Sequence, residues 1–177
     1  MKNLGKIIIY YGKGEGKTSA ALGRAIRMAG YGKRVIILEF MKGRKSGEYR
    51  FLDKVKKRNI FPIEINLGGP KFFLKEEKDY FIHQKKAKKL FSLAEEIILK
   101  KKCDLLVLDE ILYALKFKLI KEKELLDLLK KRKRTDIILT GGPLSRDLKK
   151  IADQITKLDK VKHYFDKEKR TIKGLDF

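Results

Sequence analysis

The chain has 177 residues, 43% of them hydrophobic and only 3 of them proline, which is enough for one folded unit with a real core and too little for two. Its 45 Lys+Arg against 23 Asp+Glu leave a formal charge of +22, which suits an anionic partner (nucleotide, nucleic acid, membrane surface or acidic protein) without choosing among them. No run approaches the roughly 18 apolar residues of a membrane span, no apolar signal segment opens the chain, and a lone Cys103 without a Cys/His cluster excludes an intrachain disulfide and argues against a zinc site. The expectation is a cytoplasmic protein with a single domain over residues 1–177.

Ile7 to Tyr11 is a β-branched and aromatic run that opens into a glycine-rich loop, so it reads as a buried strand. From Thr18, Ala21, Ala25 and Met28 recur at helical spacing until Gly30 and Gly32 stop the helix. Val35 to Phe40 reads as the next strand, Glu48 to Arg58 as a helix with Phe51, Leu52 and Val55 on one face, and Phe61 to Ile65 as a third strand. The stretch "NLGGPKFF", Asn66 to Phe73, has the glycines and proline of a loop and is the candidate for a lid. Tyr80, Gln84, Ala87, Phe91, Ala94 and Ile98 then mark a long helix with a lysine-rich opposite face. "DLLVLDE", Asp104 to Glu110, reads as a fourth strand, Lys121 to Lys131 as a leucine-faced helix, and Asp136 to Thr140 as a fifth strand. A short helix from Ser145 and a last strand at Ile155 to Leu158 follow. Strands alternating with helices predict an α/β fold with a mainly parallel sheet covered by helices on both faces.

The chemistry concentrates in "IIIYYGKGEGKTSAALGRAIR". Gly12, Gly14 and Gly16 permit a tight turn whose N–H groups form an anion-binding nest before the positive end of a helix. Lys17 places a point charge on phosphates, and the Thr18 hydroxyl suits Mg²⁺ bridging them. The general phosphate-loop pattern G-x-x-x-x-G-K-[ST] wants glycine where Tyr11 stands, so the triplet Gly16-Lys17-Thr18 alone is weak. Two features strengthen it: the triplet sits on a strand–loop–helix unit, and a later apolar strand ends in Asp109-Glu110, a carboxylate pair of the kind that supports Mg²⁺. The fold expectation is therefore P-loop NTPase-like (RecA-like).

The stretch "YGKGEGKTSAALGRAIRMAGYGKRVIILEFMKG" closely resembles the P-loop family of ATP:corrinoid adenosyltransferases, whose loop T-G-[ND]-G-K-G-K-[ST]-T also lacks the first glycine. The resemblance continues through "KSGE", "LLVLDEILYAL", "DIILTGG", "RDLKKIAD", "VKHYF" and the terminal "GLDF" in the family's order. It implies transfer of the 5′-deoxyadenosyl group of ATP to a Co(I) corrinoid with release of tripolyphosphate, in adenosylcobalamin synthesis or salvage. By position, Gly12, Lys13, Gly14, Glu15, Gly16, Lys17, Thr18 and Ser19 would bind the triphosphate, with ATP reversed relative to ordinary NTPases. Thr18 and Glu110 would hold Mg²⁺ with Asp109 in support, Lys17, Thr18 and Glu110 would be the catalytic set, and Arg27 would lie in the nucleotide region. The resemblance further implies a homodimer.

The chain departs from the family at four places. Gly142 stands where the usual T-G-R has arginine, with Arg146 a neighbouring substitute, and Glu15 replaces a usual lysine. The corrinoid lid motif G-x-G-F-x-W corresponds only loosely to "GGPKFF", where Phe72 and Phe73 would cover the lower face of the corrin ring. An N-terminal extension is expected to be missing, since the first strand begins within a few residues of Met1. His163 matches the family by position, whereas a lone histidine is commonly a structural or surface group. The +22 charge would serve anionic small molecules or an acidic flavoprotein electron donor, not a nucleic acid or a membrane. Two other readings stay open at this level: a RecA-like ATPase driven by nucleic acid, and an ATP- or corrinoid-binding protein without turnover.

Overall fold

A computed structural model of the protein describes residues 4–41, 47–57, 63–67, 77–164, 166 and 172–174. Six strands lie in the order β3-β2-β4-β5-β1-β6: β1 (Ile7–Tyr11), β2 (Val35–Glu39), β3 (Ile63–Leu67), β4 (Leu105–Asp109), β5 (Asp136–Gly141) and β6 (Gln154–Lys157). Every pairing between neighbours is parallel. The helices are α1 (Lys17–Gly30), α2 (Gly47–Lys57), α3 (Glu77–Leu99), α4 (Ile111–Lys116), α5 (Glu122–Lys130) and α6 (Arg146–Ile151). The α/β class and parallel sheet expected from the alternation are what the chain forms.

The near-continuous aliphatic strands follow from burial on both faces, since successive side chains point to opposite sides. Ile7, Ile9, Leu38, Leu106, Leu108, Ile137 and Leu139 pack with Ala87, Phe91, Ala94 and Ile98 of α3, Leu125 and Leu128 of α5, and Leu148 of α6. Ile8, Tyr10, Val35, Ile37, Leu105, Val107 and Ile138 face the other way, onto Ala21, Leu22 and Ala25 of α1 and Leu52 of α2. The edge strand β6 is mostly exposed and polar, as an edge tolerates. Cys103 is buried in the first of these cores, the small apolar role expected for it.

Several boundaries differ from the sequence reading. Strand β3 has its register set by β2, with Val35 opposite Ile63 and Glu39 opposite Leu67, and continues two residues past the expected end at Ile65; Phe61 and Pro62, where it was expected to begin, lie outside the described residues. Asn66 and Leu67 therefore belong to the strand, and the rest of the expected lid, with Phe72 and Phe73, lies outside the described residues. In α2 Leu52 is buried but Phe51 is exposed, because adjacent helical residues point about 100° apart and only one can face the sheet. Helix α4 was not expected at all: it continues the apolar run of β4 without a glycine or proline, and the turn is made by Glu110, whose φ of 60° lies in the left-handed region. His83, unremarkable by sequence, is buried on α3.

Candidate functional site

The loop between β1 and α1 lies at the carboxyl edge of the sheet. Open parallel sheets bind ligands outside the carboxyl ends of their strands. Gly16 caps α1 with φ 88°, so the chain enters the helix through a conformation that favours glycine. Helix α1 then presents the N–H groups of its first turn, Lys17, Thr18 and Ser19, without intrahelical partners of their own. Lys17 is buried, and its ammonium donates to the Gly14 carbonyl at 2.5 Å.

Gly12 and Gly14 have a different role from the one their spacing implies. The Gly14 N–H donates to the Leu158 carbonyl at 2.9 Å, and the Gly12 N–H to the Gly141 carbonyl at 3.2 Å. A Cβ on Gly12 would lie 2.1 Å from the Leu158 oxygen, and one on Gly14 would lie 2.7 Å from the Asp159 carbonyl carbon. These two glycines seat the loop against the segment that follows β6, so their N–H groups do not point into the nest. An anion at this loop would meet the N–H groups of the first turn of α1 rather than those of Gly12 and Gly14.

The second half of the site comes from β4 and β5. Asp109 ends β4, is 1% exposed, and accepts hydrogen bonds from the Thr18 hydroxyl at 3.0 Å and the Thr140 hydroxyl at 2.6 Å. Glu110, one residue on, donates its backbone N–H to the Thr140 oxygen at 2.9 Å and starts α4. Thus Lys17, Thr18, Asp109 and Glu110, separated by more than 90 residues in sequence, meet at one edge. Because Thr18 spends its proton on Asp109, its oxygen lone pairs remain as hard donors. A hydroxyl beside one or two carboxylates fits Mg²⁺, which keeps several waters and takes further oxygens from phosphates. Among the described residues no group of three or more His, Cys, Asp or Glu forms a metal cage.

The remaining expected residues scatter around this centre. Lys13 and Ser19 are exposed on the loop and first turn. Glu15 turns outward: its carboxylate lies 2.8 Å from His163 Nε2, and the His163 ring stacks on Tyr164 at 4.5 Å. The acid in this loop is thus explained as a tie to the segment after β6, and His163 as its partner. Arg27 is exposed in the last turn of α1, ten residues or about 15 Å along the helix from Lys17, and is not brought to the loop. Gly142 is buried beside Gly12, and Arg146 is exposed at the start of α6.

Besides Thr140, a second residue of this edge escaped the sequence reading. Tyr113 sits in the first turn of α4, and a Cβ on Gly141 would lie 3.1 Å from its ring. Burial pushes its hydroxyl above the ordinary range, and the neighbouring Glu110 carboxylate pushes it further, so Tyr113 stays a neutral donor. The i, i+3 spacing from Glu110 carries the signal, and it becomes legible only once a helix is recognised after β4.

The chain matches, over residues 3–177, the family described as ATP:corrinoid adenosyltransferase BtuR/CobO/CobP. It is 28% identical to a corrinoid adenosyltransferase of Escherichia coli (strain K12) over 98% of this chain and 86% of the relative. It is 29% identical to the corrinoid adenosyltransferase CobA of Salmonella typhimurium (strain LT2), again over 98% and 86%. A corrinoid adenosyltransferase of Sinorhizobium sp is 30% identical over 98% of this chain and 80% of its own. Matched over residues 3–177, the chain belongs to the ATP:corrinoid adenosyltransferase family.

Proposed function

We propose that the protein transfers the 5′-deoxyadenosyl group of ATP to the Co(I) ion of a corrinoid. A Co–C bond forms at C5′, the C5′–O bond breaks, and the electron pair leaves with tripolyphosphate. The observation that carries this reading is the contact between Thr18 of the phosphate loop and Asp109 of β4, in a chain that belongs to the family along its whole length. Co(I) is itself the nucleophile, so the protein needs no general base; its task is to hold C5′ in line and to stabilise charge that grows on the triphosphate. The N–H groups of Glu15 to Ser19 and the Lys17 ammonium do so electrostatically, and Lys17 exchanges its Gly14 carbonyl for phosphate oxygen.

Mg²⁺ would be held by Thr18 and Glu110 with Asp109 orienting the threonine, and when bound it supplies positive charge to the leaving triphosphate. Tyr113 stands ready to donate a hydrogen bond at the same edge. Phe72 and Phe73 are assigned to the lower face of the corrin ring by resemblance alone, and Arg27 to the nucleotide region on the same ground. The lysine-rich surface suits an acidic flavoprotein as electron donor, and the family likeness suits a homodimer.

The reading is tested by the fate of the phosphates. With Mg-ATP and chemically reduced cobalamin, phosphorus NMR is expected to show intact tripolyphosphate in step with each adenosylated corrinoid. Release of orthophosphate and ADP, stimulated by DNA or RNA, would instead identify a nucleic-acid-dependent ATPase.

A further inference from the structure

We propose that Thr140, at the end of β5, is a positioning residue that presets both acids of the site. Its single hydroxyl works in two directions: the proton goes to Asp109 Oδ1 at 2.6 Å, and the oxygen accepts the Glu110 N–H at 2.9 Å. Thr140 is 0% exposed, so water does not substitute for either bond. Donating to Asp109 leaves that carboxylate shared between two hydroxyls, Thr140 and Thr18, which fixes its rotamer and hence the direction of the Thr18 oxygen. Accepting from Glu110 holds the backbone in the left-handed turn, φ 60°, through which the chain leaves β4 and aims the Glu110 side chain. Valine in this place would fill the same volume while making neither bond.

The proposal rests on the assignment of Thr18 and Glu110 to Mg²⁺, and its test separates the two. Binding of a fluorescent ATP analogue is titrated with and without Mg²⁺, in the absence of corrinoid, for wild type, Thr140→Val and Thr140→Ser, with Tm recorded for each. Outer partners of metal ligands commonly govern about 10- to 100-fold in metal affinity. Thr140→Val is expected to raise the Mg²⁺ concentration needed for half-maximal enhancement about 10-fold or more, with metal-free nucleotide affinity unchanged. Thr140→Ser keeps the hydroxyl and is expected to stay near wild type. If Thr140→Val does not fold, Thr140→Ala gives the same comparison with a smaller side chain.

A Val or Ala variant with the wild-type Mg²⁺ dependence overturns the proposal. So does a Ser variant as impaired as Val, since that pattern reports packing of the methyl group instead of the hydroxyl. Wild-type binding indifferent to Mg²⁺ overturns the metal assignment itself, and the proposal with it.

Discussion

At the residue scale, the buried Lys17 ammonium is held by the Gly14 carbonyl at 2.5 Å, an acceptor that phosphate oxygen would replace. Lys17→Ala is expected to lower turnover about 100-fold or more while Tm changes little, because the lost charge acts mainly on the leaving triphosphate. A variant turning over near the wild-type rate contradicts the loop assignment. The candidates Gly16-Lys17-Thr18 and Asp109-Glu110 were legible in the sequence because phosphate and Mg²⁺ chemistry restrict the residue types and place them at strand ends. Thr140 and Tyr113 were not, since each owes its position to burial and to a neighbour distant in sequence, Asp109 or Gly141. Away from the site, Asp153 accepts the Ile7 N–H at 2.8 Å, and this bond, helped by Lys6, holds its carboxyl below the ordinary range. Its folded-state pKa is thus below the unfolded value of about 4, so the stability it adds is complete above about pH 4 and lost as pH falls through the depressed value. Asp153→Asn is expected to lower Tm at neutral pH, with the difference from wild type shrinking in acid; an equal loss at both pH values would refute this origin.

At the element scale, strands with aliphatic runs and helices with a clear apolar face were read in the right order. Strand β1 was read to the residue and α1 to within one, because their ends carry strong turn signals at Gly12 and Gly30. Strand β3 runs two residues past its expected end because its register is imposed by β2, which composition does not encode. Helix α4 was missed because its apolar residues run on from β4 and the turn at Glu110 uses no glycine. The loop glycines illustrate the same limit. Their spacing suggested phosphate approach, yet Gly12 and Gly14 are required by the backbone following β6, which no local pattern reveals. Gly14→Ala is expected to push Leu158–Lys160 away from the loop and weaken ATP binding about 10-fold or more, at a cost of about 1–3 kcal/mol in stability. Denaturant unfolding and nucleotide titration of the same variant check both; unchanged ATP affinity would show that the loop does not need this support.

At the scale of the whole molecule, the alternation of elements was enough to foresee a parallel sheet with helices on both faces, and the strand order places the loop, Asp109 and Thr140 along one edge. The high positive charge is spread over exposed lysines of α3 such as Lys85, Lys86, Lys88 and Lys89, so charge by itself named no partner. The site's meaning came from its geometry and the family together. The central claim is that this edge joins C5′ of ATP to cobalt. It is tested most directly by mixing the protein anaerobically with Mg-ATP and chemically reduced cobalamin and following the absorption spectrum. The account predicts conversion of the Co(I) spectrum into that of a light-sensitive adenosylated corrinoid with wild type, and none on the same timescale with Lys17→Ala. A Co(I) spectrum that wild-type protein leaves unchanged, under conditions where it binds ATP, would contradict it.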